Sequence, residues 1–355
     1  MNETRSDHSG TREESNRRRM DRCAMRAPTW TWDMRGKERR VRKDKAPPRA
    51  GARAASSAVA VVTGGSSGIG YAIAREFARR EFTVIVSSRD EGKVRECVKE
   101  MRKEFANVSG ATCDVGKRAD VDELMKRARE SVRASEGVDI VHWVNAAGMV
   151  TKNKPLHEVS AEEVVAVVEA NLIGPLLACR AAIALALELG ANTRVEVWNF
   201  GFSNWGANLS RSAATHKATK AGLTQLTKSL NDEVKALNSA KLARVSFHQL
   251  SPGLVLTKLL LKDASAASKK VFNALAEEPE DIARFLVDEM VAVEPGSTTA
   301  VEYLTPMSAV SRMIRELPNI ITNRGGRHFD STGARVKAPN ARYDADGVRK
   351  LPFET

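Results

Sequence analysis

Short apolar runs alternate with longer amphipathic stretches along the chain from Ala58 onward. The short runs are rich in β-branched residues and predict strands, while the longer stretches repeat their apolar positions at helical spacing. Six strands are predicted, over residues 58–63, 82–88, 111–115, 139–145, 194–200 and 244–250. The predicted helices run from the first strand to Arg80 and over about 90–106, 119–134, 160–189 and 212–237.

This alternation indicates the fold class. The strands are almost continuously apolar, which is typical of strands that are buried on both faces. Each strand is followed by a helix that can cross back over the sheet, and such crossovers are right-handed. We therefore predict an α/β, doubly wound parallel sheet of the Rossmann type with a helical C-terminal insertion. Ligands of such sheets bind at the carboxyl ends of the strands.

The first 55 residues show none of this periodicity. They carry 16 Lys+Arg and 8 Asp+Glu, and so hold eight of the twelve net positive charges of the 355-residue chain. We predict a disordered basic leader over 1–55, a domain over 56–318 and a flexible tail over 319–355. The leader is compatible with a plastid transit peptide, although its acids argue against one, and an over-extended gene model is the alternative. It lacks the apolar run of a secretory signal.

Composition narrows the classes of function. The charges outside the leader nearly balance and aromatic residues make up 5% of the chain, which argues against nucleic acid as a partner. The most apolar stretch, 172–189, is interrupted by Pro175, Arg180 and Glu188, so no transmembrane span is expected. The four cysteines lie far apart and lack zinc-ligand spacing, which predicts free thiols in a reducing compartment and no metal site.

A glycine-rich segment, TGGSSGIG at 63–70, lies between the first predicted strand and its helix. Glycines let the backbone approach a pyrophosphate closely, and the helix N-terminus offers free N–H groups. This placement favours dinucleotide binding over a plain turn. The predicted cofactor contacts are Thr63, Gly64, Ser66, Ser67, Gly68, Ile69 and Gly70.

The end of the second predicted strand distinguishes the two nicotinamide dinucleotides. An acid there would bind the ribose 2′-hydroxyl of NAD, and a base would bind the 2′-phosphate of NADP. Ser88 and Arg89 occupy this position, ahead of the first acid, Asp90. A guanidinium can form bidentate hydrogen bonds with a phosphate, so we predict NADP(H) as the cofactor. The alternative is that Arg89 is a solvated residue at the start of a helix.

These segments, with CDV at 113–115, NAAG at 145–148 and SPG at 251–253, resemble the short-chain dehydrogenase/reductase family. The resemblance implies that Asp114 and Val115 flank the adenine and that Asn145, Ala146 and Gly148 line the cofactor cleft. It also implies that Pro252, Gly253 and Thr257 lie along the nicotinamide side. Asn171 matches the family's asparagine that organises a proton-relay water, and Lys220 matches its ribose-binding lysine.

The sequence departs from the family pattern at the catalytic tyrosine. The family uses Tyr-x-x-x-Lys, in which the lysine lowers the pKa of the phenol that protonates the carbonyl oxygen. Here the segment reads HKATK at 216–220, and His216 shares a helix face with Lys220. Imidazolium could donate a proton near neutral pH, but a neighbouring lysine would depress its pKa. The alternative is a neutral histidine that fills the vacated space in a degraded site.

The family's carbonyl-polarising serine normally lies about a dozen residues before the tyrosine. Ser203 precedes His216 by 13 residues and follows the fifth predicted strand, so it is the candidate for this role. Its surroundings, NFGFS at 199–203, differ from the usual Asn-x-Ser-Ser, so a capping role for Ser203 is the alternative.

A closer resemblance links the chain, over about 58–318, to the plant and algal chlorophyll b reductases of the NOL type. It rests on HWVNAAG at 142–148, ATKAGLTQLTKSLNDEV at 218–234 and the segment from 249 to 287. The implied reaction is hydride transfer from NADPH to the 7-formyl group of chlorophyll b, which gives 7-hydroxymethyl chlorophyll in the chloroplast. The alternatives are a catalytically degenerate paralogue that binds nucleotide, pigment or a partner subunit, and a reductase of another carbonyl compound.

Two apolar segments could serve a tetrapyrrole substrate or a membrane. Leu259–Leu261, Val271, Phe272 and Leu275 either form a lid over the site or belong to the core of the insertion. The apolar positions between Met307 and Leu317 recur at helical spacing, and either rest peripherally on a thylakoid surface or pack as an ordinary helix. The family commonly pairs through its fourth and fifth helices, which implies a homo-oligomer or a hetero-oligomer with a related reductase.

Overall fold

The computed structural model describes residues 30–33, 38–40 and 58–354, except 152–153, 190–191, 203–212, 263, 323 and 340. The strands are β1 (Trp30–Asp33), β2 (Glu38–Arg40), β3 (Ala58–Thr63), β4 (Thr83–Ser88), β5 (Val108–Thr112), β6 (Ile140–Asn145), β7 (Arg194–Phe200), β8 (Val245–Ser251), β9 (Leu254–Val255), β10 (Ala276–Glu277) and β11 (Thr299–Glu302).

Ten α-helices are seen among the described residues: α1 (Gly68–Arg79), α2 (Glu91–Met101), α3 (Arg118–Ala134), α4 (Ala161–Val168), α5 (Gly174–Glu188), α6 (Ala214–Ala236), α7 (Lys258–Leu261), α8 (Ala266–Leu275), α9 (Pro279–Val291) and α10 (Pro306–Ile321). A π-helical turn, Glu169–Ile173, joins α4 to α5. Short 3-10 turns lie at Leu156–Glu158 and Leu242–Arg244.

The main sheet has the strand order β2-β1-β11-β8-β7-β6-β3-β4-β5. The seven strands from β11 to β5 are parallel, and helices pack on both faces over two apolar cores. Strands such as β3 and β6 are buried at every position, which explains why their sequences are mostly apolar. The predicted doubly wound parallel sheet and the helical insertion, here α7 to α9, are confirmed.

The third predicted strand is displaced. It was expected over 111–115 but lies at Val108–Thr112, where it pairs in parallel with β4. The strand includes Gly110, where a Cβ would lie 2.5 Å from Val94 Cγ1, so the glycine allows α2 to pack closely on the strand. Asp114, predicted inside the strand, instead accepts a hydrogen bond from Gly116 N–H in the turn that follows.

The sheet contains strands that the sequence pattern did not predict. A seventh parallel strand, β11, pairs with β8 after the helical insertion. Beyond it, β1 and β2 form an antiparallel pair on the edge of the sheet, although residues 1–55 were expected to stay outside the fold. Three- and four-residue strands are too short to show a period, and pairing with an open sheet edge supplies their hydrogen bonds. The remaining leader residues lie outside the described part of the chain.

The segment after α10 is packed, in contrast to the predicted flexible tail over 319–355. Phe329 is 1% exposed, and Leu351 and Phe353 pack against the core beneath α1. Its Gly, Asn and charged residues suggested disorder, but they form turns whose polar groups are bonded, such as Asp330 accepting from Thr332 and Ala334 N–H.

The run from α4 through α5, residues 161–188, is long and apolar enough to cross a membrane by length and composition alone, with a mean hydropathy of 1.7 over its most apolar window. The sequence analysis excluded a span because of the interrupting residues. Half of that window is buried inside the domain, and α5 packs on β7 and α3. The run therefore behaves as a core helix of the described domain.

Candidate active site

The glycine-rich loop between β3 and α1 is shaped by close backbone contacts. Gly64 has φ +65°, and a Cβ there would lie 2.7 Å from Ala147 Cα. A Cβ on Gly70 would lie 2.4 Å from the carbonyl oxygen of Gly64, so this glycine lets α1 start directly under the loop. The first turn of α1 contains no acidic residue. Its N–H groups therefore form a site suited to an anion, as the sequence predicted.

The opposite wall of the cleft is the segment after β8. Gly253 has φ +74° in the SPG turn, and Thr257 follows β9. A Cβ on Gly68 would lie 3.2 Å from Thr257 Cγ2, so the two walls nearly touch at this point. Of the predicted nicotinamide-side residues, Thr257 therefore stands beside the phosphate loop, and Pro252 and Gly253 precede it in the SPG turn.

The end of β4 presents a free cation. No hydrogen bond or ion pair of the Arg89 side chain occurs within the described part of the chain, and the residue is exposed. Asp90 caps α2 by accepting from Lys93 N–H at 3.0 Å, so its carboxylate is engaged away from a ribose. Cys113 N–H donates to Ser88 O at 2.9 Å, which brings Asp114 and Val115 next to this position.

Asn145 does not present its side chain to the cleft. Its Nδ2 donates to Asn199 Oδ1 at 2.8 Å, and its Oδ1 accepts from Trp143 Nε1 at 3.1 Å. This network joins β6 to β7 beneath the site. The Asn145 side chain is therefore not available to a cofactor, and the backbone after β6 is the part that borders the cleft. Ala147, which the sequence analysis did not single out, makes that approach: its N–H donates to Thr63 Oγ1 at 3.3 Å.

The structure brings Asn171, His216 and Lys220 together at the carboxyl edge of the sheet. Asn171 lies in the π-helical turn and is fully buried. A Cβ on Gly148 would lie 3.1 Å from Asn171 Oδ1 and 4.0 Å from Lys220 Nζ, so this glycine leaves room between them. Such π-turns occur often at functional sites because they reorient one side chain within a helix. Ser203 lies outside the described residues, and its role stays a prediction.

Lys220 reaches the end of β7, where its Nζ donates to the carbonyl oxygen of Phe200 at 2.8 Å. Burial disfavours the ammonium and lowers the pKa of Lys220 to about 8. The lysine therefore keeps its charge at neutral pH but releases its proton far more readily than an exposed lysine would.

His216 is 8% exposed and packs edge to face against Phe202, with ring centroids 5.5 Å apart. Burial and the Lys220 charge lower the pKa of His216 to about 4, and a hydrogen bond with the Met149 backbone offsets part of this effect. The imidazole is therefore neutral near pH 7. An imidazolium acid at this position would need a pH well below neutral.

The three tyrosines lie elsewhere and cannot replace the missing phenol. Tyr71 packs against Phe353, and Tyr303 packs against Phe285. The hydroxyl of Tyr343 accepts from Ala338 N–H in the C-terminal segment.

The apolar residues of the insertion divide between core and surface. Leu261 and Phe272 are buried in a small core, whereas Leu259 and Val271 are 49% and 37% exposed. The pKa of Glu163 on α4 is lowered mainly by a hydrogen bond with Lys154, and the charge of Lys262 at the end of α7 adds a smaller contribution. The start of α7 lies next to the phosphate loop, since Thr257 precedes it and stands beside Gly68.

A family model described as short chain dehydrogenase matches residues 58–268, the part of the chain that forms this cleft. The chain belongs to the short-chain dehydrogenase family. The matched residues include the carboxyl ends of β3 to β8, the glycine-rich loop and Lys220.

Among curated proteins, the chain is 34% identical over 300 residues to the protein named probable chlorophyll(ide) b reductase NYC1, chloroplastic, of Arabidopsis thaliana, which covers 79% of this chain. That alignment covers 56% of NYC1, so the chain spans about half the length of this relative. It is also 33% identical to chlorophyll(ide) b reductase NOL, chloroplastic, of the same plant, over 71% of this chain and 72% of NOL. The predicted resemblance to these reductases is confirmed.

Among solved structures, the fold matches a 3-ketoacyl-(acyl-carrier-protein) reductase from Brucella melitensis complexed with NADH, with a TM-score of 0.58 and 25% identity. The match covers 69% of this chain and 96% of that one. An actinorhodin polyketide ketoreductase with NADPH matches with a TM-score of 0.57 and 25% identity, over 72% and 98% of the two chains.

Proposed function

We propose that the chain is an NADPH-dependent reductase of the 7-formyl group of chlorophyll b. The observation that carries the proposal is the grouping of Asn171 and Lys220 in one cleft with a phosphate loop and with Arg89, whose side chain has no partner among the described residues. The relatives named as chlorophyll(ide) b reductases supply the substrate class.

The donor set of the cleft fits NADPH. The N–H groups at the start of α1 suit the pyrophosphate, and Arg89 with Ser88 suits the 2′-phosphate. The buried ammonium of Lys220 suits the hydroxyls of the nicotinamide ribose. When bound, NADPH supplies the hydride that adds to the formyl carbon.

The carbonyl oxygen must also gain a proton, and this chain's residues would supply it differently from a tyrosine. His216 is neutral and can offer one N–H as a hydrogen bond to that oxygen, but transfer of this proton would leave an unfavourable imidazolate. Lys220, with a pKa of about 8, is the better proton source. Its proton would reach the oxygen through water held near Asn171, so we expect slow turnover.

The test is single-turnover reduction of detergent-solubilised chlorophyll b by the full chain in excess NADPH, with pigment chromatography. Appearance of the 7-hydroxymethyl pigment with NADPH, and its loss in Lys220→Met, supports the proposal. A chain that binds NADPH and chlorophyll b but forms no product contradicts it.

That second outcome defines the alternative function, a catalytically degenerate paralogue that binds nucleotide or pigment as a partner subunit. The neutral, buried state of His216 is the observation that favours it. Recovery of activity in His216→Tyr would show that the remaining site is intact and that the histidine alone limits the reaction.

We further propose a chloroplast location with peripheral attachment to the thylakoid surface. On α10 the apolar residues face outward: Met307, Val310, Ile314, Leu317 and Ile321 are 47–74% exposed, while Arg312 on the inner face contacts Tyr303 and Glu277. The exposed charged residue of this helix is Arg315, a cation, which suits an anionic lipid surface. Ile314→Asp should reduce co-sedimentation with anionic vesicles, whereas Leu237→Asp, at an exposed leucine elsewhere, should not.

An oligomer formed through the predicted fourth and fifth helices, here the run α4–α5 and the helix α6, is also proposed. Val165, Ile173, Leu176 and Leu187 are 37–53% exposed along this run. Analytical ultracentrifugation of Leu176→Arg should show dissociation if this surface pairs two copies, or one copy with a related reductase.

A further inference from the structure

The C-terminal strap, which we define as residues 326–339 and 341–354, is bonded through one buried amide to α8. We call α7 and α8 together the lid. Asn273 Oδ1 accepts from the N–H groups of His328 and Phe329 at 2.9 and 2.8 Å. Its Nδ2 donates to the carbonyl oxygen of Phe329 at 2.9 Å. Asn273 is 5% exposed, so these three bonds hold the strap to α8 without competition from water.

Arg327 makes a second attachment at the end of the same helix. Its Nε donates to Asn273 O at 3.0 Å, its Nη2 donates to Ala276 O, and its Nη1 bonds both carboxylate oxygens of Glu277 at 2.8 and 2.9 Å. The carbonyl oxygens of Asn273, near the end of α8, and of Ala276, at the start of β10, are thus satisfied by the strap.

Phe329 closes the apolar core of the lid. The core consists of Leu256, Leu261, Phe272, Ala276 and Phe329. Four of these five residues come from the segment 256–276, whereas Phe329 comes from the strap, as does the partly buried Val348 that packs against this core. Without that ring, α7 and α8 would share too little buried apolar surface to fix their position.

The strap then returns to the cofactor side of the molecule. Phe353 packs on Tyr71 of α1, with ring centroids 5.7 Å apart. Arg335 pairs with Glu278, and Arg349 lies 3.7 Å from Glu280 at the start of α9. One segment therefore connects the lid to the helix that begins at the phosphate loop.

The attached elements lead directly to the reacting end of the cleft. β10 pairs in parallel with β9, and β9 follows Pro252 and Gly253. The N–H of Leu256 donates to Glu277 O at 2.9 Å. Leu256 directly precedes Thr257, which lies beside Gly68 of the phosphate loop. A shift of β10 would move this wall.

We infer that the strap positions a wall of the substrate site: Asn273, Arg327 and Phe329 are positioning residues that hold α7 and α8 over the cleft and so set the affinity for a bulky substrate. The predicted change in the KM for chlorophyll b rests on the proposed function, whereas the attachment of the strap to the lid does not. A short-chain reductase whose lid is held by its own C-terminal segment binds substrate against a preformed surface.

Hydrogen exchange of the full chain tests the inference through Phe329→Ala and Arg327→Ala, with Val336→Ala as the matched control, since Val336 is an exposed apolar residue of the same strap. We expect amides of α7 and α8 to exchange on the order of tenfold faster in the first two variants, with no change in β3 or β6. The KM for chlorophyll b should rise on the order of tenfold while kcat and the Kd for NADPH change less than about twofold.

Unchanged exchange in α7 and α8 of Arg327→Ala, which keeps the Phe329 ring, would overturn the inference. So would a Kd for NADPH that rises in step with the KM. If the chain proves inactive, quenching of chlorophyll b fluorescence in detergent replaces the KM, so failure of the proposed reaction leaves this test intact. Faster exchange in β3 as well would mean that the strap stabilises the whole domain, which also contradicts a specific role at the lid.

Discussion

The side-chain amide nitrogen of Asn171 lies 3.4 Å from Nδ1 of His216. The orientation of this amide is fixed by Met149, whose N–H donates to Oδ1 and whose carbonyl accepts from Nδ2, both at 2.8 Å. The nitrogen is therefore a donor that faces the ring, and the ring also forms a hydrogen bond with the Met149 backbone. His216 is held as a buried, neutral ring at the position that matches the family's tyrosine in sequence.

His216→Tyr should raise the single-turnover rate of chlorophyll b reduction by roughly two orders of magnitude, the usual contribution of a positioned general acid. A phenol at this position would stand one helical turn from the Lys220 ammonium, which favours its ionised form, and could give up its proton reversibly. The control is Ala218→Tyr, which adds the same group at an exposed position of α6. Equal rates in the two variants would mean that proton supply does not limit the reaction.

The rate of the wild-type chain should stay nearly flat from about pH 5.5 to 7.5 and fall above about pH 8. Lys220 is a cation below its pKa of about 8 and loses its proton as the pH rises through that value. His216, with a pKa of about 4, stays neutral across this range and therefore adds no second inflection to the pH–rate profile. Stopped-flow absorbance at each pH measures the profile. A rate that declines steadily from pH 5.5 would instead identify imidazolium as the acid.

Arg89→Ala should weaken NADPH binding by roughly 10- to 100-fold, because a charge-assisted bond to phosphate contributes about 1.5–3 kcal/mol. NADH binding should be unchanged, since it lacks the 2′-phosphate. Calorimetric titration of both cofactors makes the comparison, with Arg95→Ala on the exposed face of α2 as the control. Equal losses for NADPH and NADH would show that Arg89 does not read the phosphate.

His328→Gln should make the chain less sensitive to acid. Burial, with the charges of Arg327 and Arg335, lowers the pKa of His328 from 6.5 to about 4, while Glu277 and Glu278 lie 3.8 Å from its ring. Between these two values the unfolded chain binds the proton that the folded chain excludes, so folding stability falls as the pH drops.

The loss amounts to about 1.4 kcal/mol per pH unit for one group. Glutamine can still donate to the carbonyl oxygen of Ala276, the bond that His328 makes at 3.1 Å. Urea unfolding at pH 7 and at pH 4.5 should show a smaller difference for His328→Gln than for the wild type. His157→Gln, at an exposed histidine, should behave as the wild type, and equal differences for all three would contradict this account.

Local sequence was sufficient to predict much of the fold. The predicted strands at 58–63 and 194–200 match β3 and β7 residue for residue, because both are short runs rich in β-branched and aromatic residues and are buried at nearly every position. The glycine loop was equally predictable, since close approach of Gly64 to Ala147 tolerates no side chain.

The sequence could not predict features that depend on partners distant along the chain. The C-terminal segment is held in place because Phe329 packs into the small core around Phe272 and because its backbone bonds to the amide of Asn273, 56 residues earlier. The pKa of His216 depends on its burial, which one turn of helix does not reveal. The inward side chain of Asn145 is set by Asn199 on the next strand, so a motif alone placed it in the cleft.

The central claim is that this cleft reduces a formyl group with NADPH despite the loss of the tyrosine. Single-turnover chromatography of chlorophyll b with the full chain tests it most directly when the wild type, His216→Tyr and Lys220→Met are run in parallel. The account predicts slow formation of the 7-hydroxymethyl pigment by the wild type, faster formation by His216→Tyr and none by Lys220→Met. Absence of product from both the wild type and His216→Tyr, with NADPH and pigment bound, would contradict it.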